Sequence, residues 1–180
     1  MKLNLATLFC LTSIVMFSQS PKRMVKKLGN DPVFFIDSVS VDKSELQKYD
    51  PNEISSVTVF KDKEAINLIG NDGKDGLVYI ETKKFTKKRY WNFFKSKSTE
   101  YLKIVPSPES DNNIQYILNK RILDKDFEGT LSAIDDKVFK KITIISKEQL
   151  EKDFKITDKD FGVLIISDTP DNLYKGNQKF

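Results

Sequence analysis

The sequence predicts an α+β fold of two tandem modules, each a small mixed β-sheet with one or two short helices. A hairpin, a β-branched strand and an apolar strand led by glycine occur in this order at 34–43, 57–60 and 76–81, and again at 116–125, 142–145 and 162–167. The offsets between the copies are 82, 85 and 86 residues. They change only in connections, which tolerate insertions, whereas paired strands keep their register. We therefore predict a duplicated module.

The first module, predicted at 31–85, alternates strands with turn signals. Apolar residues predict strands at 33–36 and 54–60, and Asp37-Ser38 forms the hairpin turn. A helix is expected to begin near Asp62 and to end at Gly70, because a carboxylate suits a helix N-terminus and glycine suits a left-handed stop. Ala65, Leu68 and Ile69 fall on one face of this helix, with Ile66 beside them, and the continuous apolar strand 77–80 is predicted to be central.

The second module, predicted at 114–170, repeats this plan. Ser146 and Gln149 form a capping-box pair at the start of its helix, and Leu150 and Phe154 form the helix face expected to pack inward. The apolar strand 163–166 is expected to be buried. Residues 86–113 form the predicted connector, which begins as a basic aromatic stretch and ends as a solvated linker.

Residues 1–20 are predicted to be a signal peptide. Lys2 gives a positive start, residues 5–17 are apolar, and small residues precede Pro21. Cys10 follows an apolar pair, as in a lipoprotein signal, but Phe9 is large where the lipobox needs a small residue. We therefore expect simple secretion, with removal of this segment.

Composition argues against catalysis and against transition-metal binding. The chain has no histidine, and its single cysteine, Cys10, lies in the predicted signal peptide. Ser-His and Cys-His nucleophilic machinery is therefore excluded. The adjacent pair Asp135-Asp136 and the pair Asp37 with Asp42 do not predict two carboxyl groups facing across a pocket. We expect no enzymatic activity and no cofactor.

Acidic loops occupy equivalent places in the two modules, and calcium was considered for them because it prefers oxygen ligands. The acids concerned are Asp72, Asp75, Asp158 and Asp160. The first loop lacks a closing glutamate, and Lys74 opposes a cation. A polar turn is the preferred interpretation, so no metal site is predicted.

A basic aromatic stretch is the strongest candidate for a binding surface. The formal net charge is +4, yet eight cations and only one acid, Glu100, lie between positions 83 and 103. Interfaces favour aromatic residues in a cationic setting. The predicted partner-binding residues are Lys87, Lys88, Arg89, Tyr90, Trp91, Phe93 and Phe94. The alternative is a helix between the modules whose rings pack onto the sheets, and both interpretations can hold together. Stacking on nucleic acid is not expected for an exported protein.

Residues 50–84, together with the preceding strand at 35–37, resemble the plug domain of TonB-dependent outer-membrane receptors, in the version common in Bacteroidetes. The matching residues are Phe35, Ile36, Asp37, Asp50, Pro51, Glu53, Ile54, Ser56, Val57, Val59, Lys61, Asp62, Ala65, Gly70, Gly76, Val78, Ile80, Thr82 and Lys83. The chain departs from the family pattern at Ser38, where glycine is usual, and at Leu68-Ile69, where an aromatic residue is common. Nothing after Lys84 predicts the many strands of a barrel.

The resemblance implies a stand-alone plug-like protein whose barrel is another chain. We expect it to bind the periplasmic mouth of an outer-membrane β-barrel and to occlude or gate the pore. The candidate barrels are a TonB-dependent receptor and the type 9 protein secretion translocon, and membrane contact would be made only through the partner. The oligomeric state stays open. The alternatives are a peptide- or glycan-binding module with a pocket between the modules, and an adaptor that pairs through sheet edges.

Overall fold

The computed structural model describes residues 28–169, which form two four-stranded mixed sheets. The first sheet contains β1 (Val33–Ile36), β2 (Val39–Val41), β3 (Ile54–Phe60) and β4 (Leu77–Thr82) in the order β2-β1-β4-β3. The second contains β5 (Ile114–Leu118), β6 (Arg121–Ile122), β7 (Phe139–Ser146) and β8 (Phe161–Ser167) in the order β6-β5-β8-β7. The predicted α+β fold with two small tandem modules is confirmed. The predicted signal peptide and residue 170 lie outside the described residues.

The two sheets have the same topology, strand for strand. β1 runs parallel to β4, as β5 does to β8, and all other pairings are antiparallel. A register irregularity interrupts β3 between Ile54 and Ser56, and a second one interrupts β7 between Phe139 and Lys141. Shared strand order, directions and irregularities support the predicted duplication.

The register corrects one predicted alignment. Val33 pairs with Leu77 in the first sheet, and the corresponding pair in the second sheet is Gln115 with Gly162. Gly162 is therefore equivalent to Leu77, not to Gly76, and the offset of 86 residues was wrong by one. Glycine is required at the two positions for different reasons. Gly76 has φ +99°, a conformation that other residues rarely adopt, whereas a Cβ on Gly162 would lie 2.7 Å from the Ile145 side chain.

Two-residue turns close both hairpins, as predicted for the first. Asp37 and Ser38 have φ of 50° and 72°, and Asn119 and Lys120 have φ of 49° and 70°. Positive φ at both central residues defines the type I′ turn, whose twist matches that of the strands. Asp and Asn tolerate this conformation better than other non-glycine residues, which explains the first residue of each turn.

Five helices complete the described part of the chain. They are α1 (Asp62–Ile69), α2 (Lys83–Lys97), α3 (Thr99–Ile104), α4 (Glu128–Ser132) and α5 (Lys147–Phe154), with 3₁₀ turns at Glu45–Lys48, Pro51–Glu53 and Gly70–Asp75. The predicted cap of α5 is confirmed, because Ser146 Oγ accepts a hydrogen bond from Gln149 N. Gly70 ends α1 at the predicted position, but its ψ of −151° lies outside the left-handed helical conformation that was predicted. The predicted apolar face of α1 is buried only at Ala65, and Leu68 is 57% exposed.

The connector belongs structurally to the second module. Helix α2 begins at Lys83, directly after β4, and its inward residues join α3, α4 and one face of the second sheet in a single core. The buried members of this core are Tyr90, Phe94, Tyr101, Val105, Ile114, Tyr116, Leu123, Leu131, Ile134, Val163 and Ile165. Helix α5 covers the other face, where Leu150 packs with Ile117 and Ile145. The second sheet therefore lies between two helical layers.

Polar contacts join the two modules. The Arg89 guanidinium on α2 forms a bidentate pair with Glu81 on β4, whose carboxylate also accepts a hydrogen bond from Ser56 Oγ at 2.8 Å. Arg89 Nη2 also donates to Ser132 Oγ on α4 at 2.9 Å. The backbones of α4 and β3 also approach closely here, since a Cβ on Gly129 would lie 3.1 Å from the Ser55 carbonyl oxygen. The first sheet and the helices of the second module therefore meet directly.

Candidate functional site

Helix α2, which carries the basic aromatic stretch, begins without a loop. Thr82 is both the last residue of β4 and the N-cap of the helix, and its Oγ1 accepts a hydrogen bond from Phe85 N at 3.2 Å. The same hydroxyl donates to Asp37 Oδ2 at 2.7 Å, and Asp37 Oδ1 accepts from Thr82 N at 2.8 Å. The start of the helix is thus fixed to the first hairpin, which sets its direction.

The inward face of α2 is aromatic. Tyr90 and Phe94 are 1% and 0% exposed, so the structure places these two predicted partner-binding residues in the core. The Tyr90 ring meets the Tyr116 ring edge-on with centroids 5.7 Å apart. These two rings follow the predicted alternative of a helix that packs onto the sheets. They pack on the second sheet only.

A buried carboxylate holds this face in place. Asp111 accepts a hydrogen bond from the Tyr90 hydroxyl at 3.0 Å and forms an ion pair with Lys87 at 2.6 Å. The Tyr116 hydroxyl lies 2.9 Å from that of Tyr101, which extends the polar cluster. Burial raises the pKa of all three tyrosines, so their hydroxyl groups stay protonated as donors. Asp111 lies in the segment predicted to be a solvated linker, and that prediction is wrong for this residue.

Most cations of α2 have carboxylate partners within the structure. The ion pairs are Lys83 with Asp126 at 2.6 Å, Lys87 with Asp111, Arg89 with Glu81, and Lys97 with Asp136. Three of the partners belong to the second module, and Glu81 belongs to the first. These charges position the helix and are already compensated, so they add little net field outside the protein.

The remaining cations of α2 reach solvent to different degrees, since Lys84 and Lys88 are exposed whereas Lys95 is half-buried. Lys84, Lys88 and Lys95 make no ion pair within residues 28–169. Their spacing of four and seven residues places them in one row along the helix, and Trp91 falls in the same row. We call these four residues the cationic ridge. At 100° per residue, the ridge lies about 110° around the helix from Tyr90 and Phe94, so it borders the buried face of the helix.

Trp91 gives the cationic ridge a fixed apolar centre. Its Nε1 donates to the Val105 carbonyl oxygen at 2.9 Å, which locks the ring orientation, and the ring is half-buried. Lys95 Nζ lies 3.8 Å from the ring centroid, within the range of a cation–π contact. The ridge therefore combines a rigid aromatic group with lysines, a composition typical of interface centres.

The seven predicted partner-binding residues divide into three groups. Lys88 and Trp91 lie on the cationic ridge, Lys87 and Arg89 are held in ion pairs, and the three others pack inward, with Phe93 half-buried against Phe139 at a centroid distance of 5.4 Å. Sequence reasoning missed Lys84 and Lys95. Their helical spacing from Lys88 is the signal that would have found them.

The carboxylates considered for other chemistry have local structural roles. Asp37 bonds to Thr82, and Asp135 Oδ1 accepts hydrogen bonds from the backbone N–H groups of Lys137 and Val138. Among the described residues, no group of His, Cys, Asp or Glu side chains is arranged to hold a metal ion. Over the same residues, no helix combines the length and apolarity needed to cross a membrane.

A cavity and an open groove lie away from the cationic ridge in the described part of the chain. The cavity, of about 210 Å³, lies in the second module near Asp111, Glu128 and Lys159, and the groove, of about 760 Å³, lies on the first sheet. Neither is lined by residues of both sheets.

Comparisons with known proteins do not assign the chain to a family. No protein-family model, no curated protein and no solved structure matches it.

Proposed function

We propose that this protein is a non-enzymatic periplasmic binding protein that docks on the periplasmic mouth of an outer-membrane β-barrel and occludes or gates its pore. The barrel is a TonB-dependent receptor or the type 9 secretion translocon. The observation that carries the proposal is the cationic ridge, which is an uncompensated row of charge on an otherwise ion-paired helix. The class of partner comes from the sequence resemblance of residues 50–84 to plug domains, which fill the lumen of outer-membrane barrels.

The positive charge of the cationic ridge favours binding to an acidic surface of the partner. Lys84, Lys88 and Lys95 lie on one helix face without acidic partners among the described residues, so they repel one another weakly in the free protein. Carboxylates at a barrel mouth would remove this repulsion and would accelerate encounter at low salt. Trp91 would supply the apolar contact that charge alone does not give.

The cationic ridge is pre-organised for binding. Thr82 caps the start of α2, and Lys87 and Tyr90 hold its middle to Asp111. Association normally costs about 0.5–1.5 kcal/mol for each side chain that must be ordered. The backbone of this helix is already fixed and the Trp91 ring is already oriented, so docking orders only the lysine side chains.

Co-purification from solubilised outer membranes tests the proposal. We expect the tagged wild-type protein to recover a β-barrel protein, and the triple variant Lys84→Glu, Lys88→Glu, Lys95→Glu to recover about a tenth as much or less. The matched control carries the same charge change on α1 and α5, as Lys63→Glu, Lys147→Glu and Lys152→Glu, which are exposed positions. Recovery of no barrel by the wild type, or equal recovery by both triple variants, would overturn the proposal.

An adaptor that pairs through sheet edges is the second candidate, because β3 and β7 are long edge strands. They contain seven and eight residues, and each pairs with one neighbour only in the described sheets. Unpaired strand edges are templates for strand addition. The solution mass separates the candidates: a stable homodimer that the triple ridge variant retains favours edge pairing over the cationic ridge.

A further inference from the structure

The first sheet carries an open groove beside β1. Val33 and Phe35 of β1 form part of its floor, and Ile69 at the end of α1 lies at its side. The groove has a volume of about 760 Å³, and the Phe35 and Tyr79 rings stack on this face of the sheet with centroids 6.5 Å apart. Both rings are only half-buried, so apolar surface is open to solvent here.

Two substitutions between the repeats open this groove. With the offset of 85 residues, Ala65 of α1 takes the place of Leu150 of α5, and Ile69 takes the place of Phe154. In the second module Leu150 and Phe154 close over Ile117 of the sheet. The smaller side chains of α1 cover less of the equivalent position, Phe35. The helix therefore covers this sheet face at Ile117 in the second module, whereas Phe35 at the equivalent position of the first module stays half-exposed.

The rim of the groove is acidic. Asp31, Asp72 and Asp75 line it with one cation, Lys74, which gives three negative charges against one positive charge. Within the described residues none of these four side chains forms an ion pair. The sign is opposite to that of the cationic ridge, so the protein presents two charged surfaces of different specificity.

We propose that this groove is a second binding site, and that its ligand is an extended basic peptide with apolar residues between its cations. The apolar side chains would pack on Phe35 and Ile69, and the cations would reach Asp31 and Asp72 on the rim. A bare metal ion does not fit, because no carboxylate cluster with ligand geometry occurs among the described residues. The inference uses neither the cationic ridge nor a barrel partner, so it stands apart from the proposed function.

Titration of the isotope-labelled exported protein with the synthetic peptide Lys-Leu-Lys-Lys-Leu-Lys tests this site by NMR. We expect chemical-shift changes centred on Phe35, Ile69 and Asp72 that weaken as salt is added. The variant Asp31→Lys, Asp72→Lys should bind about tenfold more weakly. Its matched control is Asp153→Lys, Asp158→Lys, which makes the same charge change at exposed positions of the second module. NMR signals outside the groove that match those of the wild-type protein would show that each variant is folded.

Three results would overturn the proposal. The first is a set of shifts centred outside the groove, and the second is equal affinity of both charge variants. The third concerns the basic residues Lys22, Arg23, Lys26 and Lys27, which precede the groove in sequence. If the peptide binds only after these four are replaced by serine, the chain itself supplies the ligand and the site is not for a partner.

Discussion

Asp37 and Asn119 perform the same task in the two modules. Each opens a two-residue turn with positive φ, and each accepts a hydrogen bond from the backbone N–H at the end of the adjacent central strand, Thr82 at 2.8 Å and Ser167 at 3.1 Å. Their backbone N–H groups bond to equivalent carbonyl oxygens, those of Ile80 and Ile165. The duplication is therefore visible in individual hydrogen bonds although the residues differ.

The second residue of the turn offers a test at this scale. Lys120 has φ +70°, a conformation that costs a non-glycine residue about 1–2 kcal/mol. We expect Lys120→Gly to raise the free energy of unfolding by about 1 kcal/mol, because Asn-Gly is the preferred type I′ pair. Urea denaturation measures the change.

Ser38→Gly is the comparison for this prediction. It relieves the same strain at φ +72° but removes the hydrogen bond between Ser38 Oγ and the Tyr79 hydroxyl at 2.6 Å, so it should stabilise less. A loss of stability in Lys120→Gly would contradict the assignment of the turn.

At the scale of elements, the tyrosine cluster ties α2 and α3 to β5. Tyr90, Tyr101 and Tyr116 come from these three elements, and all three rings are buried. Burial raises their pKa values in the folded protein above the ordinary value of 10.0. Their contribution to stability is complete below pH 10 and is lost as the pH rises above it, because the unfolded chain then releases protons that the folded protein retains.

We therefore predict a steep loss of stability at alkaline pH. Above pH 10 the free energy of unfolding should fall by about 1.4 kcal/mol per pH unit for each buried tyrosine. Denaturant titrations across this range measure the slope. Tyr116→Phe removes one titrating group and should make the slope shallower, whereas Tyr49→Phe, at an exposed position, serves as the control. An identical slope in wild type and Tyr116→Phe would contradict the role of this cluster.

The main strands, the limits of α1 and the start of α5 could be predicted because their signals are local. Helix α5 begins after Ser146, whose side chain caps it as the pair with Gln149 predicts. Helix α1 spans Asp62–Ile69, as its acidic first turn and the following Gly70 indicate. The glycine alignment failed because Gly76 serves backbone conformation, whereas Gly162 serves close packing under Leu150. Both needs select glycine, and sequence alone does not distinguish them.

The division of the basic aromatic stretch could not be predicted fully because it depends on distant residues. Asp111, Asp126 and Asp136 neutralise Lys87, Lys83 and Lys97 from positions 24 to 43 residues away. Residue composition reveals the excess charge of α2 but not which charges are compensated. The periodicity of the helix separates Lys84, Lys88 and Lys95 from Tyr90 and Phe94. This spacing was available in the sequence and would have predicted the cationic ridge.

At the scale of the whole molecule, Arg89 connects the modules. Its guanidinium bridges Glu81 of the first sheet and Ser132 of α4, while the Glu81 side chain is nearly buried. Removing the arginine leaves a buried carboxylate without its cation. Because Arg89 itself is partly exposed, the expected cost is moderate and lies below that of a fully buried pair.

We predict that Arg89→Ala lowers the free energy of unfolding by about 1–3 kcal/mol and weakens the coupling between the modules. The first module should then lose hydrogen-exchange protection before the second, because the second keeps its larger core. The double variant Glu81→Gln, Arg89→Ala should recover part of the loss, since no buried charge remains. Uniform loss of protection in both modules would contradict the role of Arg89 as their connection.

Site-specific photo-crosslinking shows whether the cationic ridge contacts a β-barrel protein. A photoreactive amino acid is placed at position 88 in the ridge, or at position 152 on α5 as the control, and the protein is irradiated with native outer membranes. The account predicts one covalent adduct with a β-barrel protein from position 88 and none from position 152. Adducts of equal yield from both positions, or a barrel that co-purifies yet crosslinks only from position 152, would contradict it.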